Sequence, residues 1–429
     1  MPIPETRTMK NLILSVALFC CALTIHAEIR IAVISDCHIV AGEQVSLLGK
    51  AGGKMDAQSL ELLHAALDSI KADKPDLLLI SGDLTYNGEK SGHHTMSDLL
   101  HSISAAGTCV LAVPGNHDIL NPHHLGDEET TAYDFRAIYA DFMGNIRHEG
   151  SLSWAQRIGR DLAIIGLDAN IYGTGKYVSD GCITRSHLEW LAHTAHTLRS
   201  EGRMIIALVH QQLLEHVNNQ ASLLPNTLYN ISYQHTGNDD SPVTAAEARQ
   251  AFADAGIHYI ISGHGHVHDI AGADFTVNGK PTRIWDISTG GLSTYPSYFR
   301  VLNVDPKSQK VSITSKTVNL HTDYSANLLK SQAQSMVKSR LTSLLGKTFA
   351  TIAYFIIGED LCQALIAYAQ GDEPHHNGAD IYNRIKQNTD AVQTELKDKL
   401  LNTLHSMMLD YNGTDTTDVT PDITVTLQP

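Results

Sequence analysis

Aspartate, asparagine and histidine residues follow runs of apolar residues at five places in this chain. These places are Asp36-Cys37-His38, Gly82-Asp83, Gly115-Asn116-His117-Asp118, His210 and Gly263-His264-Gly265-His266. Imidazoles and carboxylates bind transition metals, and imidazole also exchanges protons near neutral pH. Each motif alone is weak, because a single Asp after a strand is commonly a turn residue or a helix cap. Their recurrence directly after apolar runs indicates one shared metal site.

The spacing within the motifs favours two metal ions. Asp36 and His38 are two residues apart, so in extended backbone their side chains lie on one side, and His264 and His266 repeat this spacing. The candidate metal ligands are Asp36, His38, Asp83, Asn116, His210, His264 and His266. One tetrahedral zinc ion uses only four ligands, whereas two ions about 3.5–4 Å apart can share a bridging carboxylate. The mixture of oxygen and nitrogen donors favours Mn, Fe, Zn or Co over Ca or Mg.

The segments before these motifs read as buried strands that alternate with helices. Apolar runs predict strands at 28–35, 76–80 and 108–113, separated by a helix over 57–71 and another from about residue 95. This βαβαβ order implies parallel strands with helices packed outside. The carboxyl ends of parallel strands lie along one edge of a sheet, so the motifs that follow them converge there.

From residue 151 onward, predicted strands again alternate with helices, and short segments that read as antiparallel strands follow. Strands are predicted at 151–158, 161–167, 203–209 and 257–261, with helices that open in capping boxes at Ser186 to Glu189 and Thr244 to Glu247. Short alternating segments predict further strands at 274–279, 282–288, 297–304 and 310–316. The chain therefore reads as an α/β protein over residues 28–320.

The ordered set Asp-x-His, Gly-Asp, Gly-Asn-His-Asp, His and Gly-His-x-His resembles the calcineurin-like metallophosphoesterase superfamily. The resemblance covers residues 28–320 and implies a calcineurin-like α/β/β/α sandwich with a dinuclear metal centre. It implies that one metal is bound by Asp36, His38 and His266, and the other by Asn116, His210 and His264. Asp83 would bridge the two ions. His117 would not bind metal but would protonate the leaving oxygen of the substrate, and Asp118 would orient it.

This reading predicts a phosphoester hydrolase. Two cations neutralise phosphate oxygens and lower the pKa of a bridging water, so that hydroxide attacks at neutral pH, while an imidazole can supply a proton to the leaving group. The Gly-Asn-His-Asp motif and the layout resemble the branch of cyclic-nucleotide phosphodiesterases. A phosphomonoesterase acting on nucleotides or phosphoproteins is the alternative enzyme. A metal-stabilised partner-binding protein is a third reading, which the positioned His117 and Asp118 disfavour.

Composition limits the partners of the protein. The chain of 429 residues has a formal net charge of −15, with 43% hydrophobic and 18% charged residues, which is typical of a globular protein. An acidic surface repels phosphate backbones, so a small phosphoester is expected as partner and a nucleic acid polymer is not. The cysteines beyond residue 27 are expected to be free thiols, with Cys37 and Cys109 buried at strands.

The two ends of the chain differ from the α/β region. Residues 1–27 read as a signal peptide, with Met9-Lys10 before an apolar run too short to span a bilayer, so a periplasmic or secreted location is expected. An uncleaved anchor or a buried helix are the alternatives for this segment. No other segment reads as a transmembrane span.

Residues 321–410 read as a helical appendage, with Leu328, Val337, Leu341, Ile352, Phe355 and Ile356 at helical spacing. Residues 411–429 are expected to be a loose tail. Elsewhere in the chain, His93 and His216 are expected to lie on the surface.

Overall fold

The computed structural model describes residues 28–49, 54–126, 128–173, 175–217, 220, 243–318, 320–370, 383–387, 401 and 424–429. The predicted signal peptide, residues 1–27, lies outside this range. In the described part of the chain, no helix has both the length and the apolar character needed to cross a membrane.

The described chain forms two β-sheets. The strands are β1 (Ile29–Ile34), β2 (Leu77–Ile80), β3 (Cys109–Ala112), β4 (Ile146–Arg147), β5 (Trp154–Ile158), β6 (Leu162–Gly166), β7 (Met204–Leu208), β8 (Tyr259–Ser262), β9 (Asp269–Val277), β10 (Lys280–Ser288), β11 (Tyr298–Asp305), β12 (Lys310–Thr317) and β13 (Thr424–Leu427). The first sheet has the order β13-β12-β11-β1-β2-β3, and the second has the order β4-β5-β6-β7-β8-β10-β9.

Helices cover the outer faces of both sheets. The α-helices named here are α1 (Ser59–Asp73), α2 (Lys90–Ala105), α3 (Ala132–Ile138), α4 (Arg185–Ser200), α5 (Ala245–Asp254) and α6 (Thr322–Gln370), of which α1, α2, α4 and α5 cover the sheets. Leu63 of α1 and Leu100 of α2 are buried in the same apolar cluster as the first sheet, while Leu191 of α4 and Phe252 of α5 are buried against the second. The layers are therefore helix, sheet, sheet, helix, and the predicted α/β/β/α sandwich is confirmed.

The predicted parallel strands are present at the centre of each sheet. β2 pairs in parallel with both β1 and β3, and β7 pairs in parallel with both β6 and β8. Trp154 is fully buried and its indole nitrogen donates to the carbonyl of Ala112, 3.0 Å away, which ties a strand of the second sheet to one of the first. The carboxyl ends of the central strands thus open onto one edge of the sandwich.

Two helix starts differ from the predicted ones. Helix α2 begins at Lys90, five residues before the predicted start. Helix α4 is capped by Thr184, whose side chain accepts from the backbone of His187, so the predicted box at Ser186 and Glu189 is wrong by two residues. The box that joins Thr244 and Glu247 is present as predicted.

The carboxyl end of the chain corrects the expectation of a loose tail. Strand β13 pairs antiparallel with β12, and the indole nitrogen of Trp285 donates to the carbonyl of Gln428 at 2.7 Å. The Thr-Val-Thr-Leu sequence alternates with period two, so Leu427 can be buried while its neighbours face outward. Backbone groups that an edge strand leaves unpaired are satisfied in this way. Residues 411–423 lie outside the described residues.

The predicted helical region contains one long helix, α6. Val337 and Leu341 are buried in a cluster that also contains Val217 of the sandwich. Leu328 is partly buried against the main core, as its spacing predicts. Phe355, by contrast, is 91% exposed, so its predicted burial is wrong. The side chains of Ile352 and Ile356 lie outside the described set.

Candidate metal centre

The strand ends carry the predicted motifs into adjoining loops. Five candidate ligands have a left-handed backbone: Asp36, His38, Asp83, His264 and His266, with φ between 43° and 64°. Such a backbone is uncommon for a residue with a side chain, and residues that adopt it often cluster at functional sites. The loops are joined by backbone hydrogen bonds from Asp36 to the carbonyl of Gly82 and from His38 to that of Asp83, which hold the side chains in register.

The first group of candidate ligands comprises Asp36, His38, Asp83 and His266, with one ligand atom of each within 4.8 Å of the others. Nε2 of His266 lies 3.2 Å from Oδ1 of Asp36 and 3.2 Å from Nε2 of His38. Nε2 of His38 lies 3.4 Å from Oδ2 of Asp83. Four residues from three distant parts of the sequence therefore face one point.

The second group shares Asp83 with the first. Nε2 of His210 lies 3.3 Å from the same Oδ2 of Asp83 and 3.2 Å from Nδ1 of His264. Oδ1 of Asn116 lies 2.9 Å from Nε2 of His210. Asp83 thus stands between the two groups, in the position that a bridging carboxylate would take. The structure brings all seven predicted ligands together; that they bind metal remains a prediction.

The donor set fits cations. Oδ1 of Asp36 is buried without a hydrogen-bond partner, although two imidazoles surround it. Nδ1 of His210 lies 2.7 Å from the carbonyl of Ser81, which can only accept, so this nitrogen carries hydrogen. In the neutral ring, Nε2 of His210 then directs a lone pair toward Asp83 and Asn116. Lone pairs that face a carboxylate at close range require a cation or a proton between them.

The electrostatics of the centre indicate the same demand for positive charge. Burial opposes ionisation of Asp83, but the nearby imidazoles of His210, His117 and His38 hold the pKa of its carboxyl well below the usual range. Burial also opposes protonation of His210, yet the charge of Asp83 raises the pKa of this imidazole to about 9. A proton on His210 stabilises the carboxylate of Asp83 here in the way that a cation would.

Two glycines allow the loops to approach each other this closely. A Cβ atom at Gly115 would overlap the backbone nitrogen and the carboxylate of Asp83. A Cβ atom at Gly263 would overlap the side chains of Ser35 and Asp36. Larger residues at either position would separate the loops that carry the candidate ligands.

His117 lies beside the two groups, and its ring makes a T-shaped contact with that of His38. Its Nδ1 is 2.7 Å from the carbonyl of Tyr86 and 2.8 Å from Oδ1 of Asn87, so Nδ1 carries hydrogen. Nε2 of the neutral ring therefore accepts from the hydroxyl of Tyr177, 2.8 Å away. Burial lowers the pKa of His117 to about 3. The ring is held in one tautomer by backbone and amide oxygens.

The expectation that Asp118 orients His117 is wrong. The carboxylate of Asp118 accepts from the backbone nitrogens of Leu84, Thr85 and Gly115, at 2.8–3.2 Å, and from the hydroxyl of Thr85. Asp118 is fully buried, and these partners differ from those of His117. Asp118 therefore fixes the two loops that carry Asp83 and Asn116 to each other, and Tyr86 and Asn87 orient His117.

Two side chains at the centre were missed in the sequence. The ammonium of Lys54 lies 3.3 Å from Nδ1 and 3.4 Å from Nε2 of His38. Tyr177 places its hydroxyl between His117 and Asn116, whose Nδ2 is 2.6 Å away. Both residues belong to irregular loops without a motif, so no pattern in the sequence singles them out.

Three further expectations are corrected by burial. His93 is fully buried and contacts the hydroxyl of Tyr139 and the carbonyl of Asp118, and His216 is fully buried beside Asp269. Neither is a surface residue. The described cysteines are free as expected, but Cys109, the first residue of β3, is exposed and not buried.

Comparison with known proteins defines the class of this chain. Residues 29–268 match the calcineurin-like phosphoesterase family, which is more than half of the chain. The chain therefore belongs to this family of metal-dependent phosphoester hydrolases, as the motifs predict.

Three curated relatives share a name. Each is called a probable cyclic nucleotide phosphodiesterase. The protein from a Pseudoalteromonas species is 32% identical to this chain over 23% of its length, and the protein from Moraxella catarrhalis is 28% identical over 39% of it. The protein from a Synechococcus species is 31% identical over 31% of this chain. These alignments span 35%, 55% and 54% of the relatives' own length. A crystal structure of a dimetal phosphatase from Danio rerio is 13% identical, covers 68% of this chain and 96% of its own, and has a TM-score of 0.45.

Proposed function

We propose that this protein is a dinuclear metal-dependent phosphodiesterase that hydrolyses small phosphodiesters, with cyclic nucleotides as the substrate class. The observation that carries the proposal is the position of Asp83, whose Oδ2 lies 3.4 Å from His38 and 3.3 Å from His210. A single carboxylate oxygen shared by two histidine groups is the arrangement that a metal pair requires. The names of the three curated relatives support the choice of diester.

The proposed ligands divide between two metal positions. Asp36, His38 and His266 would hold one ion, and Asn116, His210 and His264 the other, with Asp83 common to both. When bound, the metals supply the positive charge that neutralises phosphate oxygens and acidifies the attacking water. Only two of these ligands are carboxylates, so the centre keeps a net positive charge for an anionic substrate. Mn, Fe, Zn or Co suit this donor set.

His117 is the proposed proton donor. In the imidazolium form, Nδ1–H donates to the carbonyl of Tyr86, and Nε2–H would donate to the leaving oxygen of the substrate once that oxygen takes the place of the Tyr177 hydroxyl. The T-shaped contact of the ring with His38, with centroids 4.7 Å apart, keeps it at the rim of the centre. Tyr177 occupies the place next to Nε2 that the leaving oxygen would approach.

The test is a comparison of three substrates with the purified protein loaded with Mn²⁺. Elemental analysis should find about two ions per chain, and kcat/KM should be higher for bis-p-nitrophenyl phosphate and cyclic AMP than for p-nitrophenyl phosphate. The variant Asp83→Asn should lose both ions and all turnover. A preference for p-nitrophenyl phosphate would instead establish the phosphomonoesterase. A folded protein with two ions but no turnover on any ester would support the partner-binding reading.

We also propose that the protein is exported from the cytoplasm. The support for this is the pattern of residues 1–27, which is typical of a signal peptide. A substrate outside the cytoplasm would then be the natural target of the enzyme. Fractionation of cells that express the full chain tests this: recovery in the periplasm or medium, without the first 27 residues, is expected. Retention of the full-length chain in the cytoplasm would contradict it.

A further inference from the structure

Lys54 places a positive charge beside His38, one of the proposed metal ligands. Its ammonium is at similar distances from the two ring nitrogens of His38, 3.3 and 3.4 Å, and therefore lies over the ring. Nε2 of His38 is also the atom that faces Asp83 at 3.4 Å. The ammonium thus stands at the edge of the first group of candidate ligands, within reach of anything bound there.

The aromatic ring of Tyr86 contacts the ammonium of Lys54 and helps to hold it in this position. The ammonium lies 5.9 Å from the centre of the Tyr86 ring, which is a cation–π distance. Tyr86 belongs to the same loop that orients His117 through its carbonyl. The loop that positions the proposed acid therefore also supports Lys54.

No carboxylate of the described residues forms an ion pair with Lys54. The carboxylates of Asp83, Asp56 and Asp36 act on it from a distance, and two of these are proposed metal ligands whose charge the metals would neutralise. Cations held by the proposed ligands would repel this ammonium, and its nearest neighbour, His38, offers it no negative charge. An anion bound between the metals and Lys54 would remove this repulsion.

We propose that Lys54 is a substrate-binding residue whose ammonium contacts a non-bridging phosphoryl oxygen. The inference rests on the proposed function, since it assumes that a phosphoryl group binds at the metal centre. A lysine ammonium is a compact charge with three donors, which suits one phosphoryl oxygen while the metals hold others. The expected ligands are phosphate esters and inorganic phosphate itself.

The test is binding of inorganic phosphate by calorimetry to the full chain loaded with two Mn²⁺ ions. Lys54→Met keeps the length of the side chain and removes its charge, and it should weaken phosphate binding roughly 10- to 100-fold, as the loss of a hydrogen bond between charged groups does. Lys54→Arg should retain most of the affinity. Lys330→Met, an exposed lysine on α6, is the matched control and should bind phosphate like the wild type.

Metal content and thermal unfolding of each variant are measured in parallel. Two ions per chain in Lys54→Met, together with weak phosphate binding, support the proposal. Unchanged phosphate affinity in Lys54→Met overturns it, and so does loss of metal from that variant, which would make Lys54 part of the framework of the centre.

Measurements of ester hydrolysis distinguish a failure of this inference from a failure of the proposed function. If the wild type binds phosphate through Lys54 but hydrolyses no ester, the proposed function fails and the anion site stands. If the wild type hydrolyses diesters and Lys54→Met retains its KM for bis-p-nitrophenyl phosphate, the assignment of Lys54 alone fails.

Discussion

The hydroxyl of Tyr177 donates a hydrogen bond to Nε2 of His117 across 2.8 Å, and the same oxygen accepts from Nδ2 of Asn116 across 2.6 Å. One phenol thereby connects the proposed acid with a proposed metal ligand. The link orients the amide of Asn116, because its nitrogen faces Tyr177 and its oxygen faces His210. Tyr177 sits at the mouth of the centre, where it is 36% exposed.

Replacement of Tyr177 by Phe should lower kcat for bis-p-nitrophenyl phosphate roughly 3- to 10-fold, because one hydrogen bond to each neighbour is lost. Metal content should be unchanged. Tyr133→Phe, which alters a tyrosine that is 81% exposed on α3, should behave like the wild type. A faster enzyme would show that the hydroxyl competes with the substrate for His117.

Replacement of His117 by Ala should keep both metals and lower turnover roughly 10²- to 10⁴-fold, as expected for a lost general acid. The loss should be smaller for p-nitrophenyl esters than for alkyl esters, because a good leaving group needs little protonation. Steady-state rates on paired substrates measure this. His64→Ala, on the exposed side of α1, is the control. An equal loss on both substrates would assign His117 another role.

Replacement of Asp118 by Ala should act mainly on stability. It leaves three buried backbone N–H groups and one hydroxyl without their acceptor, which should cost about 2 kcal/mol or more of the free energy of unfolding. Calorimetric unfolding measures this. The ratio of rates for good and poor leaving groups should stay that of the wild type. A changed ratio would restore the expectation that Asp118 acts through His117.

The buried ion pair of His216 predicts a pH dependence of stability. Burial opposes its protonation, but Asp269, 2.8 Å from Nδ1, and Asp286 raise the pKa of His216 to about 9. Because the folded pKa lies above the unfolded value near 6.5, the stabilisation is complete below about pH 6.5 and disappears as pH rises through about 9. The free energy of unfolding should therefore fall by roughly 3 kcal/mol over this window.

Denaturant unfolding at a series of pH values measures this effect. His216→Gln keeps a hydrogen-bonding group but cannot be charged, so its stability should be lower at pH 6 and should change less up to pH 9. An identical slope in the variant and the wild type would show that other groups cause the dependence.

Removal of the chain after His321 should lower both solubility and thermal stability. It uncovers Val217 and Val267, which pack with α6, and it also removes β13 from the edge of the first sheet. A chain that lacks only residues 424–429 separates the two effects, since it loses the edge strand but keeps the helix. Unchanged stability and substrate preference in the shorter chain would make residues 321–410 an independent module.

The sequence by itself determined the family, the layered fold and the set of residues that meet at the centre. This was possible because each motif directly follows an apolar run, and parallel strands end along one edge whatever the details of packing. Asp36, Asp83 and His264 could therefore be placed near one another without any knowledge of contacts. The glycines in these motifs, such as Gly115 and Gly263, also indicated that the loops turn sharply and approach each other closely.

Only the tertiary structure decided which neighbours act on each of these residues. Asp118 follows His117 directly, yet the two side chains have different partners, because Asp118 accepts from the backbone of Gly115 while Nδ1 of His117 donates to the carbonyl of Tyr86. Lys54 and Tyr177 reach the centre from irregular loops whose course depends on packing. The final strand joins a sheet edge that begins more than a hundred residues earlier, where Val311 pairs with Leu427. Contacts between segments so distant depend on the whole fold, and no local pattern encodes them.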